Sequence, residues 1–299
     1  MTLTELRYAV AVAEARHFGR AAERCFVSQP SLSASVKNLE EELGVQLFER
    51  GKRGVFLTEP GEQIVAQARR ALEEAERVKT VARQGRDPLK GVLRLGIIHT
   101  IAPYLLPALV GALRRSAPEM PLDVEESTTA ALDRMLKAGE LDAVILALPY
   151  EGPGLETVPL YEEIFRVVAP STHALARKKT IAVEDLDAGE LLLLPVGHCF
   201  RDQVLDACHE FSRPPEAGRQ GNSLETLRSM VASGLGVSVL PATALTARHA
   251  NPLVKTIEFS SPCPVRRVAL ASRRSFHRPA ALAKLVAAIC GLDLPVKAL

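Results

Sequence analysis

The stretch GHCFRDQVLDACHE, residues 197–210, places two thiols, Cys199 and Cys208, nine residues apart in a chain of 299 residues that holds five cysteines. As a helix, nine steps of ~100° and ~1.5 Å set the two on opposite faces, ~13 Å apart along the axis. A disulfide needs its Cα atoms within ~7 Å. Bonding this pair would unwind the helix, which suits a redox switch better than a structural staple. The alternative is that both are small core residues. At the start of its own helix Cys199 meets free backbone N–H groups and the positive end of the dipole, which favour a thiolate, and His198 and Arg201 add positive charge or hydrogen bonds. A thiolate attacks an oxidant to give a sulfenic acid, which a second thiol captures as a disulfide. Asp202 would accept a proton from a bound peroxide or orient His198; otherwise it is a first-turn acid favoured by the dipole.

Composition narrows the setting for such chemistry. The chain has 37 Lys and Arg against 35 Asp and Glu, net +2, and no tryptophan. That balance excludes a wholly basic nucleic-acid coat but permits a locally basic domain. No run of apolar residues is long enough to span a bilayer, and Met1 leads into a charged amphipathic segment rather than a secretory leader, so no membrane association and a cytoplasmic location are expected. In a reducing compartment scattered cysteines are poor structural disulfides, which makes a functional pair more informative. The cysteines show no CxxC spacing and the seven histidines do not cluster with them; neither a metal nor a cofactor is expected. Cys25, Cys263 and Cys290 receive no role.

The first ninety residues supply a use for a switch. Leu3, Leu6, Ala9, Val10 and Ala13 recur at helical spacing. After RHFG, the segment RAAERCF reads as a short second helix with Gly19 as a weak N-cap and Ala21, Ala22 and Cys25 inward. A third helix starts at Ser28, a good N-cap, with Pro30 in its first turn and Gly44 as its stop. Its apolar stripe is Leu32, Val36, Leu39 and Leu43. The opposite face carries Gln29, Ser31, Ser33, Ser35 and Lys37, short hydrogen-bonding residues able to approach base edges, with a lysine placed for phosphate. Two short helices joined by a tight turn read as a helix-turn-helix, and LFERGKRGVFLT as a hairpin wing with Arg50, Lys52 and Arg53 at its tip. The alternative for the helix, a plain solvated face, is weakened by the wing beside it. Residues 1–58 are therefore read as a winged helix-turn-helix contacting DNA through Gln29, Pro30, Ser31, Ser33, Lys37, Arg50 and Arg53. From Thr58 as N-cap a long helix over 59–85 carries Ile64, Ala68, Ala71, Ala75, Val78 and Ala82 at heptad spacing. Almost nothing nearby in sequence could cover that seam, so a partner chain is expected, and a dimer reads two half-sites. Residues 86–91, with two of the glycines and the proline of GRDPLKG close by, form a hinge.

The remaining residues alternate strand and helix: VLRLGII, a helix from about Ile101 to Arg115, LDVEES, a helix Thr129 to Lys137 and LDAVILAL, then a second set through IFRVVAP, ELLLLP and GVSVLP. Near-continuous apolar strands predict a parallel α/β sheet covered on both faces. VRRVALASRR and an alanine-rich terminal helix return to the first set. The expected class is α+β multidomain, with regulatory lobe I over 92–162 and 266–299 and lobe II over 163–265. Ligands of such sheets bind at the strand ends. Thr100 and Thr129 lie at two such ends, as helix N-caps or as cleft residues.

RHFGRAAERCFVSQPSLSASVKNLEEELGVQLFER followed by LTEPG resembles the winged helix-turn-helix of LysR-type transcriptional regulators, and the matching organisation covers the whole chain. The resemblance implies a two-lobed periplasmic-binding-protein-like regulatory domain, a homodimer or homotetramer paired through linker helices, double-stranded promoter DNA and RNA polymerase as partners, and activation or repression of transcription. GHCFRDQ with Cys208, then NSLETLRSMVASG and LPA, is similar to the members of that family that sense hydrogen peroxide. That narrower likeness implies Cys199 as peroxidatic and Cys208 as resolving cysteine, and Thr100, Thr129, His198 and Asp202 as positioning peroxide. It also implies Arg201 in support, Arg266 paired with the Cys199 region, Glu225 and Arg228 on an element whose interface changes, and re-reduction by cytosolic thiols. For Arg266, Glu225 and Arg228 a surface ion pair is the plain alternative. The rival readings are a LysR-type regulator whose inter-lobe cleft binds a metabolite, a thiol peroxidase, and a plain anion-binding protein.

Overall fold

The computed structural model describes residues 1–51, 54–84, 88–207 and 220–299, in two compact units, Met1–Asp87 and Pro88–Leu299. The hinge expected at 86–91 begins in residues outside the described ones.

In the first unit, α1 (Leu3–Ala15) opens with a capping box: Thr2 Oγ1 accepts from Glu5 N at 3.2 Å, and the Glu5 carboxylate accepts from Thr2 N at 2.7 Å. Its buried face is Leu6, Ala9, Val12 and Ala15, while Leu3 is exposed. α2 (Phe18–Arg24) is capped by His17, whose Nδ1 accepts from Gly19 N and Arg20 N. Gly19, expected as the cap, has no side chain to accept these donors, and an imidazole nitrogen nearby takes them. α3 (Gln29–Leu43) has Ser28 Oγ accepting from Ser31 N at 3.3 Å and Gly44 in the left-handed conformation at φ 69°. Leu32, Val36 and Leu39 are buried; Leu43, the last residue of the helix, is exposed. β1 (Phe48–Gly51) and β2 (Gly54–Leu57) form the antiparallel hairpin.

Thr58 Oγ1 accepts from Gly61 N at 2.9 Å to start α4 (Glu59–Gln84). The expectation that only a partner could cover its seam is corrected for the first turns. Val65 and Ala68 are buried in the core of this unit, with Ile64 and Ala71 packed against it, and Arg69 reaches Glu14 of α1 at 2.7 Å. The helix folds back on the element that begins the chain, a pairing sequence distance hides. Farther along, Val78 is 70% exposed; Ala82 lies outside the described side chains.

The second unit begins with β3 (Leu93–Ile98), α5 (Ala102–Ser116), β4 (Leu122–Ser127), α6 (Thr129–Lys137) and β5 (Ala143–Ala147). β3 pairs in parallel with both β4 and β5. β6 (Leu155–Pro170) then runs through the whole unit. β7 (Thr180–Ile181), β8 (Leu191–Leu192), α7 (Cys199–Ala207), α8 (Leu224–Ala232), β9 (Val237–Pro241), β10 (Val254–Phe259), β11 (Val265–Arg273), α9 (Pro279–Cys290) and β12 (Lys297–Ala298) follow. The first part of β6 pairs with β11, and its last part with β9 and β10, giving a path β4-β3-β5-β11-β6-β10-β7. β4 alternates in burial instead of being apolar throughout, because it is the edge strand. One core gathers Leu95, Ile97, Leu109, Ile145, Leu270 and Leu285; another gathers Phe165, Val167, Leu192, Phe200, Leu227 and Ile257. β6 and β11 carry the chain between these two lobes, and the carboxyl ends of β3 and β4 open at the junction.

Candidate functional site around Cys199

Gly197, at φ +102° with open space where a Cβ would stand, turns the chain into α7. A side chain there would strain the backbone, so glycine sets the direction in which the next residues leave. Cys199 then packs, half-buried, against the first core, while its neighbour Phe200 is buried in the second. Phe200 meets Phe165 edge-on at 5.0 Å between centroids. One turn on, the Gln203 amide donates to the Leu148 carbonyl at 3.2 Å. The first turn of α7 is thus held by both lobes.

Beside the thiol is a cavity of about 10 Å³, walled by His99, Thr100, Ser127, Thr128, Thr129, His198, Cys199 and Phe200. That is about the room one water-sized molecule needs. Strand pairing brings the walls together: Ile98 lies opposite Ser127 in the β3–β4 register, so residues 99–100 and 127–129 leave the sheet side by side. Neither threonine singled out in the sequence is an N-cap. The cap of α6 is Thr128, whose Oγ1 accepts from Ala131 N at 3.4 Å. Thr129 is one residue farther in, and its Oγ1 is buried with no hydrogen-bond partner among the described residues. Thr100 does not cap α5; its Oγ1 accepts from Arg266 Nη1 at 2.9 Å and its carbonyl from Nη2 at 3.1 Å.

Arg266 is not the surface ion pair offered as its alternative reading. It is 2% exposed, it pairs with the fully buried Glu163 at 2.7 Å, and its guanidinium carbon sits 5.1 Å from the Phe200 ring centroid. Arg266 and Glu163 are opposite residues in the β11–β6 register, which is why both side chains emerge on one face. Glu163 also accepts from Thr243 N at 2.8 Å. Breaking such a pair would strand a buried charge, at ~3–5 kcal/mol.

The His198 ring stands 5.6 Å from that of His99. Burial, and then repulsion from His99, push the basicity of His198 below its ordinary value. His99 Nδ1 lies 3.1 Å from Glu126 Oε1. Arg201 does not bring its charge to the cavity; it donates to the Leu194 carbonyl at 3.0 Å. Asp202 is exposed on α7 and is not among the cavity walls. Glu225 and Arg228 pair at 2.5 Å on α8. Glu225 also accepts from the Tyr104 hydroxyl at 3.0 Å, whose basicity burial and this carboxylate raise. Arg228, for which a surface pair was the alternative, is buried and donates to the Ala244 carbonyl. Cys208 lies outside the described residues.

In the first unit Gln29, Pro30, Ser31 and Lys37 are exposed along α3 and Ser33 is half-buried; Lys37 pairs with Glu41 at 3.2 Å. The Arg50 side chain, Lys52 and Arg53 lie outside the described residues. Sequence reasoning missed His99, Ser127, Thr128 and Glu163. For His99 a signal existed, since it directly precedes Thr100; Glu163 gave none.

Residues 3–62 match the bacterial regulatory helix-turn-helix of the lysR family and residues 86–290 match the LysR substrate-binding domain. The chain belongs to the lysR family of DNA-binding transcription regulators. Within it the likeness is to OxyR. The DNA-binding transcriptional dual regulator OxyR of Escherichia coli K12 is 39% identical over 273 residues, covering 91% of this chain and 90% of that protein. A full-length OxyR of Pseudomonas aeruginosa bearing a cysteine-to-aspartate substitution is 50% identical with a TM-score of 0.84, covering 98% and 96% of the two chains. A hydrogen-peroxide-bound, cysteine-substituted OxyR of Corynebacterium glutamicum is 36% identical with a TM-score of 0.65, covering 97% and 93%. No helix among the described residues is long and apolar enough to cross a membrane.

Proposed function

We propose that the chain is a peroxide-responsive regulator of transcription in which Cys199 is the peroxidatic cysteine and Cys208 the resolving one. The observation that carries this reading is the size and lining of the cavity at Cys199. About 10 Å³ of room walled by hydroxyls and imidazoles is on the scale of a water or a peroxide, whereas small-metabolite sites run to ~300–1,000 Å³. Thr100 and Thr129 offer hydroxyls, and His198 an imidazole, to hold the peroxide. Asp202, exposed on the helix, keeps only its first-turn place at the dipole, and Arg201 supports the turn through the Leu194 carbonyl.

The Cys199 thiolate attacks one peroxide oxygen, the O–O bond breaks, and the departing oxygen leaves as water after taking a proton; Cys199 becomes a sulfenic acid. The Cys208 thiol then attacks that sulfur, forming the disulfide and releasing a second water. The nine residues of α7 span ~12 Å, and Cys208 follows directly after its last residue, so closure to within ~7 Å requires unwinding. Because α7 is fastened to both lobes, unwinding releases Phe200 and Gln203 and alters the surface near Glu225 and Arg228, hence the pairing of regulatory domains. In this proposal homodimers or homotetramers carry the change to promoter DNA and RNA polymerase, the protein works in the cytoplasm, and cytosolic thiols reverse the signal. The oxidation is a signal rather than a turnover.

Brief peroxide exposure followed by mass spectrometry of the 199–208 peptide tests it, together with promoter footprinting of the wild type and Cys199→Ser. The expected result is loss of two hydrogens in the wild-type peptide and a footprint that shifts with peroxide only in the wild type. Free thiols in the treated wild type, or an identical footprint shift in Cys199→Ser, would sink the proposal.

A further inference from the structure

The cavity holds a second imidazole. His99 follows Ile98 at the end of β3, lines the same space as Cys199, and lies 5.6 Å from His198. Its Nδ1 is 3.1 Å from Glu126 Oε1 on the neighbouring strand β4. Such a ring, held at one nitrogen by a carboxylate, leaves Nε2 to exchange a proton.

Resting on the peroxide reading above, we propose that His99 donates the proton taken up by the departing oxygen when Cys199 attacks hydrogen peroxide, with Glu126 as the positioning residue that holds the imidazolium. The sulfur electron pair bonds to the near oxygen and the O–O pair moves to the far one. The near oxygen keeps its hydrogen as the sulfenic acid. The far oxygen keeps its own hydrogen, takes the one from His99, and leaves as water. His99 is then neutral and regains a proton from solvent, to which its side chain is 35% exposed. Without a donor the leaving species is hydroxide, and a positioned acid in this situation contributes ~10²–10⁴-fold.

Two rings at this separation do not both carry charge cheaply. Glu126 holds the His99 ring through Nδ1. His198 has no carboxylate partner among the described contacts, and burial and His99 push its basicity down. The other groups facing His99 are Cys199 at the start of α7 and, through Thr100, Arg266 of β11, whose charge is matched by Glu163.

The test is the second-order rate of Cys199 sulfenic acid formation in the full chain from about pH 5.5 to 9, for the wild type, His99→Gln and Glu126→Gln, with circular dichroism to verify folding. The wild-type rate should show a pH profile with an ascending limb and then a decline, the form expected of a step that uses a thiolate and an acid together. His99→Gln should be at least ~10-fold slower near neutral pH and lack the decline. Glu126→Gln should be slower than the wild type and keep the decline, while alkylation of Cys199 by iodoacetamide, whose leaving iodide needs no proton, stays at the wild-type rate. A His99→Gln protein with the wild-type rate and profile overturns the inference while leaving the peroxide reading intact. A wild type that forms no sulfenic acid overturns both.

Discussion

Thr129 presents a buried hydroxyl with no partner among the described residues, and an unmatched polar atom in a folded protein carries a desolvation cost of ~1–3 kcal/mol. Thr129→Val keeps the shape and removes the oxygen. In the reduced protein the variant should melt at the wild-type temperature or higher, while Cys199 oxidation slows by roughly the ~10-fold that one hydrogen bond is worth. Calorimetry and stopped-flow oxidation report the two effects; a destabilised variant that oxidises at the normal rate would show that the hydroxyl serves the fold instead. His198 gives a pH signature. Burial and His99 lower its folded-state pKa below the ordinary 6.5, so as pH falls the unfolded chain binds the proton first. The stability carried by the neutral ring is therefore complete above about pH 6.5 and is lost as pH drops from there toward the folded value. His249 is depressed mainly by burial and has the same sign. Urea midpoints from about pH 8 to 5.5 should fall more steeply for the wild type than for His198→Gln; parallel curves would refute this.

At the scale of elements, α7 is fixed by Phe200, which packs on Phe165 and under Arg266. Phe200→Ala should cost the regulatory unit ~3–5 kcal/mol, the usual toll for a buried phenylalanine. It should also speed conversion of sulfenic acid to disulfide, because less holds the helix against unwinding. A quenched time course of the 199–208 peptide checks this, and slower closure would mean that Phe200 guides the refolding. The local elements were legible in the sequence wherever a local rule decides them. Ser28 and Thr58 cap their helices, Gly44 stops α3, and the two apolar runs of the wing pair as β1 and β2. The errors have physical causes. Glycine tolerates a cap position, which makes Gly19 the local expectation, but the His17 ring competes from two residues back. Thr128 and Thr129 are equal as caps by propensity, and only the end of β4 decides between them. For the site, Cys199, His198, Thr100 and Thr129 could be singled out from sequence. The Arg266–Glu163 pair, Phe200 as anchor and the nearness of His99 to His198 depend on β11–β6 register and on loops meeting across the sheet, which no local pattern encodes.

At the scale of the whole molecule, α4 divides its apolar seam between two uses. Val65 and Ala68 belong to the core of the first unit, whereas Val78 is left 70% exposed. A valine so exposed on a long helix is accounted for if a second copy covers it. Val78→Lys should therefore shift the chain toward monomer in sedimentation velocity and weaken binding to a two-half-site operator more than to a single half-site. An unchanged sedimentation coefficient would place the pairing elsewhere.

The narrowness of the space at Cys199 has a consequence for what the cell can report through this protein. With about 10 Å³ of room, the space beside the thiol accommodates the smallest oxidant and should disfavour those with tails. Cumene hydroperoxide and lipid hydroperoxides carry the same reactive O–O bond, yet their carbon skeletons have nowhere to go unless the segments at 99–100 and 127–129 part. They should oxidise Cys199 far more slowly than hydrogen peroxide at equal concentration, so that damage to membranes goes unannounced until it releases the small molecule itself.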